Sequence, residues 1–389
     1  LFVLRFCIDD LMATEKKPDG SGTGAGAGTR LPKATEARLD AIRAEAEATG
    51  KVASGAGAGA GGASGPPTQA EMSQANTRGQ GPSYYNLPLV KPPTWTWEIP
   101  MYFFIGGIAG VAAVIALIAQ IFSAEPRLIR VALYIAFAGV LLCPVFLISD
   151  LGRPSRFLNM LRVFKWRSAM SMGSWILSGF GGCATLALAA HEAIYYNLQL
   201  PLIMPLLPVL YWIGLCSGAL TGLLLASYTG VLVGATAIPV WHENRKLLPA
   251  HFLTGGLGGC SALLELCGFL VPATQFIGYV ASSIETLIGA RLESRERRVD
   301  APLHHGPSGW TMRVAGTLAG PVSLITRAVW HGSADGRHIA AITFLFGALC
   351  TRYAWVWAGR ASAHDPQALF ETQHAAMARG KKTTSPAHG

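Results

Sequence analysis

From Ile99 to Ala358 the chain repeats one pattern: an apolar run of about twenty residues, then a short polar loop. A hydrocarbon core about 30 Å thick needs roughly 20 helical residues to cross it, and within it every backbone polar group must be satisfied inside the segment. The pattern therefore predicts an all-α integral membrane protein. Composition agrees, with 51% of residues hydrophobic and 14% charged, where a soluble domain carries about 25% charged.

Eight runs fit, over Ile99–Phe122, Leu128–Ser149, Met170–Tyr196, Val209–Ile238, Pro249–Val271, Ala273–Leu292, Trp310–Trp330 and Ile339–Ala358. The seventh is the weakest, interrupted by Pro321 and edged by Arg313 and Arg327. Gly106, Gly107 and Gly110 in the first allow close approach of a neighbouring helix. Ahead of these runs, residues 1–82 are largely low-complexity, with GTGAGAG and SGAGAGAGGASG segments that cannot bury enough apolar surface to fold. A disordered Gly/Ala-rich tail is expected there, then a membrane domain over 83–366 and a flexible tail over 367–389. Residues 1–11 are too short to span and lack a signal-peptide cleavage pattern, so the start is read as Leu1 or, by preference, Met12.

The formal charge is +9. The cations stand beside apolar runs rather than along a polar face, so they report topology and not nucleic-acid binding. The loops after spans two, four and six hold Arg153, Arg156, Arg162, Lys165, Arg167, Arg245, Lys246, Arg291, Arg295, Arg297 and Arg298. The opposite loops offer Arg127, Arg130, Arg327 and Arg337. By the positive-inside rule both termini are cytoplasmic.

Ionisable groups at a membrane boundary or inside a span need a reason. Glu98 stands at the mouth of the first span, where a helix N-terminus alone would favour a carboxylate. Tyr102 follows at i+4, on the same helix face. Asp150 and Arg153 close the second span, where an exposed ion pair is worth under about 1 kcal/mol. Tyr228 lies on the order of 15 Å in from the Pro239 end of the fourth. Glu265 and Glu285, inside the fifth and sixth spans, are candidate proton-path groups or, equally, hydrogen-bonded packing residues. His191, His242, His251, His331 and His338 fall at span ends or in loops, which leaves no intramembrane pair for a b-type haem. Of seven cysteines none forms a CxxC, which argues against an iron–sulfur cluster in this chain.

Four stretches together resemble the NrfD/PsrC family of polysulfide-reductase-like membrane subunits: Tyr84-Tyr85 with WTWEIPMYFFIGGIAG, then SDLGRPSRFLNMLRVFKWRSAMSMGSW, LASYTGVLVGATAIPVW and AGRASAHDP. The WEIPxYFFxGG opening is similar to members that accompany formate-dehydrogenase-like molybdopterin enzymes. The resemblance implies a haem-free subunit of two four-helix bundles in the plasma membrane, not catalytic alone, that binds menaquinone or ubiquinone. It implies a ferredoxin-like 4Fe-4S subunit and a molybdopterin catalytic subunit as partners, with electrons exchanged between the iron–sulfur protein and the quinone pool. Tyr102 and Tyr228 fall at the family's head-group positions, with Glu98, Asp150 and Arg153 around them. Where some members carry Asn and His in the first span, this chain has Ile99 and Tyr102. The alternative is a secondary transporter or proton-conducting protein built on Glu265 and Glu285.

Overall fold

The computed structural model describes residues 90, 92–151, 157–198, 203–365 and 367–370, all within one compact unit, Leu87–Gly389. The Gly/Ala-rich tail, Arg153 and Arg156 lie outside the described residues. Every regular element among the described residues is helical. In chain order they are α1 (Glu98–Ile121), α2 (Pro126–Ser149), α3 (Phe157–Arg162), α4 (Ala169–Tyr195), α5 (Leu207–Gly234) and α6 (Pro239–Glu243). Then come α7 (Leu248–Leu266), α8 (Pro272–Glu293), α9 (Ala301–His304), α10 (Gly306–Thr317), α11 (Ser323–Val329) and α12 (Ala334–Ala363). The starts follow local chemistry: proline occupies the first turn of α2, α5, α6, α7, α8, α9 and α10, where its missing N–H costs nothing. Ser168 and Ser333 cap α4 and α12 by accepting from Ser171 and Gly336 N–H.

Among the described residues five helices are long and apolar enough to cross a membrane: α1, α2, α4, α5 with the short turn preceding it, and α12. The expected fifth, sixth and seventh spans are helical where anticipated but are not among the five. α7 carries His251 and Glu265, and α8 carries Glu285 and Glu293. The seventh is broken into α10 and α11 by a π-helical stretch, Leu318–Val322, with a kink at Gly320 ahead of Pro321. Proline has no N–H to return to the preceding turn, so the ladder widens there. Residues 367–370 are helical and Ala368 is buried, so ordered chain continues past the boundary expected at 366.

α1, α2, α4 and α5 pack on one another, as do α7, α8, α10–α11 and α12; α7 also contacts α1 and α5. Glycine permits the closest of these crossings. A Cβ on Gly222 of α5 would lie 2.5 Å from the Gly110 carbonyl oxygen of α1, and one on Gly256 of α7 would lie 2.8 Å from that of Gly107. The two ends of the array are tied differently. At one, Arg130 grips Glu192 through two bonds of 2.8 and 2.6 Å and takes the Tyr196 hydroxyl at 2.9 Å, joining α2 to α4. At the other, Arg295 donates to Asn244, which donates to Asp300, while Arg297 meets Glu243 and Arg298 meets Asp365. Several of the cations read as topology signals are thus also knitted into that face.

Candidate functional site

α1 begins where α2 ends, and this brings two of the expected residues together. Thr96, just ahead of α1, donates its backbone N–H to Asp150 Oδ1 at 3.1 Å, and its hydroxyl is 2.9 Å from the same oxygen. That hydroxyl also touches Glu98 Oε2. One hydroxyl proton cannot serve two carboxylates at once, so Thr96 links Glu98 and Asp150 while donating to one of them at a time. The neighbouring Trp97 carbonyl accepts from the Tyr353 hydroxyl at 3.1 Å, and the Trp97 ring meets Phe146 edge-on. The end of α12 is thereby fastened to the start of α1.

One turn deeper, Tyr102 is buried and lies within electrostatic range of Tyr228 and Cys143. Tyr228 is buried as well, near the end of α5. Its hydroxyl donates to the Ala169 carbonyl at the start of α4, and its ring fills the space a side chain on Gly173 would need. Only a glycine at 173 leaves room for that ring. The two expected tyrosines thus lie within electrostatic range of each other, but the Tyr228 proton is committed to the backbone of α4. Tyr102 is the freer of the two to meet a ligand.

Glu265 and Glu285 part company. Glu265 is fully buried, with Arg327 Nη1 2.9 Å and Arg337 Nη2 2.7 Å from Oε1 and Arg327 Nη2 2.8 Å from Oε2. Arg337 also donates to the Leu270 and Val271 carbonyls and to the Thr274 hydroxyl, and Tyr279 donates to the Arg327 carbonyl. Oε1 accepts from both arginines and Oε2 faces Arg327 as an ion pair, so this carboxylate cross-links α7, α11 and α12. Arg327 and Arg337 were read from sequence as outer-loop cations; instead they are buried partners of Glu265.

Glu285 is also buried, but its partner is His251, with Nε2 2.9 Å from Oε2. The indole N–H of Trp355 points at His251 Nδ1 at 3.3 Å. An indole nitrogen only donates, so Nδ1 accepts and Nε2–H faces the carboxylate. Arg352, buried over the Phe252 ring at 4.0 Å and bonded to the Phe252 carbonyl at 2.8 Å, lies within electrostatic range of Glu285. His251 sits at a span end, as expected, yet it is buried. Among the described residues no group of three or more His, Cys, Asp or Glu is placed to hold a metal ion.

A family model described as polysulphide reductase, NrfD, matches residues 88–285, just over half of the chain. The chain belongs to the NrfD family. No curated protein matches it. NrfD proteins interact with quinone as membrane subunits of quinone-linked oxidoreductases, and usually pair with iron–sulfur and molybdopterin subunits. With five helices able to cross a membrane, this NrfD protein is a multi-pass membrane protein. The matched stretch contains Glu98, Tyr102, Asp150, Tyr228, His251, Glu265 and Glu285. The groups that answer the last two acids from α11 and α12, namely Arg327, Arg337, Arg352 and Trp355, come after it.

Proposed function

We propose that this chain is the membrane anchor and quinone- or quinol-binding subunit of a multi-subunit oxidoreductase. It exchanges electrons between an iron–sulfur partner and the quinone pool, with a molybdopterin subunit completing the complex. On this reading eight helical segments cross the plasma membrane in two groups of four, α1, α2, α4 and α5 against α7, α8, α10–α11 and α12. Both termini face the cytoplasm. The quinone head group, of menaquinone or ubiquinone, binds near the start of α1, and the iron–sulfur protein docks on the same face beside the basic segment from Arg162 to Arg167.

The observation that carries the reading is a buried Tyr102 one turn below the Glu98–Thr96–Asp150 group, within electrostatic range of Tyr228 and inside the stretch matched to NrfD. A phenol donor beside an apolar wall suits a quinone carbonyl, and a pair of carboxylates joined through Thr96 nearby suits the proton uptake that quinone reduction requires. Arg153 enters this reading by its position in the sequence alone. The transporter reading is weakened by Glu265, which is paired with two arginines.

The test is a quinone titration of the purified complex. A neutral hydrogen bond contributes about 0.5–1.5 kcal/mol, so Tyr102→Phe should weaken binding by about two- to tenfold. Tyr228→Phe should act through the loosened start of α4 and weaken it less. Unchanged affinity and turnover in both variants would remove the head group from this place.

A further inference from the structure

A cavity of about 400 Å³ opens between α8, α10, the π-helical stretch and α12. Its floor is the His251–Glu285 pair, and its mouth is Glu293, Arg313 and His304. Glu285 and Glu293 are two turns apart on α8, about 12 Å along its axis. Tyr102 and Tyr228 do not line it.

The polar atoms that face this space are acceptors. Glu285 Oε1 is buried without a hydrogen-bond partner, as is His304 Nε2. The threonine hydroxyls on the wall have spent their protons on their own helices: Thr286 on the Ser282 carbonyl at 2.7 Å, Thr317 on Val314 at 2.9 Å and Thr351 on Gly347 at 2.8 Å. Arg313, the cation at the mouth, is held by Glu293 through bonds of 2.7 and 3.1 Å. A buried unpartnered carboxylate oxygen is costly, and what would satisfy it is a donor entering the cavity.

The walls argue for an organic donor rather than a file of water. Leu292, Leu303, Met312, Gly289 and Gly316 lie between floor and mouth, whereas each buried water needs about two to four polar partners. Both glycines are inside helices, where glycine is destabilising by roughly 0.5–1 kcal/mol relative to alanine. Neither is there to let a helix pass, because a Cβ on Gly289 or on Gly316 would meet nothing within 4 Å. They widen the cavity. Its volume falls in the range of ligand sites, about 300–1,000 Å³.

We infer that this cavity is a second binding site, distinct from the one at the start of α1, for an amphiphile with a hydroxyl-bearing aromatic ring, the chemistry of a quinol. The ring hydroxyl donates to Glu285 Oε1, the ring lies against Leu303 and Met312, and the apolar tail leaves past Gly289 and Gly316. A head group with acceptors alone, such as an oxidised quinone, gains nothing from this floor.

Equilibrium binding in detergent tests the assignment with a redox-inert probe, 4-decylphenol, against its methyl ether, which has lost the donor. The intact protein should bind the phenol at least about tenfold more tightly than the ether, a difference of about 1.4 kcal/mol. Gly289→Phe, which fills open space, should abolish the preference, while Gly289→Ala should fold at least as well as the parent and retain it. Equal binding of phenol and ether, or an undiminished preference in Gly289→Phe, overturns the inference. Tyr102→Phe separates the two sites. If it alone removes phenol binding, the phenol sits at the α1 site and the cavity assignment falls; if Gly289→Phe alone does so, the cavity stands, and the α1 assignment is decided by the quinone titration.

Discussion

Glu265→Ala should be the most damaging single substitution in the chain. It leaves two guanidinium groups, one fully buried and one nearly so, with no counter-charge in a low-dielectric interior. Breaking a buried ion pair from one side costs about 3–5 kcal/mol, a large part of the stability of any domain. The measurement is recovery of monodisperse protein from the membrane together with its melting temperature in detergent, and we expect little folded material. Glu265→Gln should lie between, because an amide keeps one acceptor for Arg337. Changing Glu265, Arg327 and Arg337 together to Leu, Met and Met should restore much of the loss, since no charge then remains to be compensated. A Glu265→Ala protein that melts like the parent would show that the ion cluster contributes nothing.

Gly110→Leu is expected to come next. The α1 and α5 backbones meet at Gly110 and Gly222, and there is no flexible side chain in the contact that could move aside. Overpacking of a close-packed interior costs about 1–3 kcal/mol, and more where backbone must move. Because Tyr102 and Tyr228 ride on these same two helices, forcing them apart should weaken quinone binding beyond the effect of losing one hydroxyl. Gly182, around which a side chain would find nothing within 4 Å, supplies the comparison. Gly182→Leu should leave both stability and quinone affinity near those of the parent. If Gly110→Leu behaved the same way, the crossing would not be the tight contact described.

Much of this was legible in sequence because membrane physics leaves few options. Run length and charge asymmetry placed the helices, and the observed ends of α1, α2, α4 and α8 lie within two residues of expectation. The family pattern pointed to Tyr102 and Tyr228 as a pair, and the common face of Glu98 and Asp150 anticipated their link through Thr96. What escaped was pairing between distant helices. Arg327 and Arg337 read as outer-loop cations because each stands at the edge of an apolar run, and nothing local reveals that both turn inward to Glu265. His251 was similarly hidden, since its partners Glu285 and Trp355 come 34 and 104 residues later. A clue was nonetheless present. Two acids lay inside apolar spans without a cation nearby in sequence, and buried charge demands a partner. The same logic, run in reverse, would have turned the search toward α11 and α12.

The Arg327–Glu265 pairing bears on how the protein is made. On the eight-span reading, the α10–α11 segment carries Arg327 near its trailing end, where an arginine opposes insertion by less than the roughly 2.5–3.5 kcal/mol it costs at a helix centre. Its counter-charge is on α7, which leaves the ribosome first. The seventh segment therefore has a receptor waiting for it, and its retention in the membrane depends on a helix synthesised about sixty residues earlier. Order of synthesis, and not hydrophobicity alone, is what lets so polar a segment become part of the membrane domain.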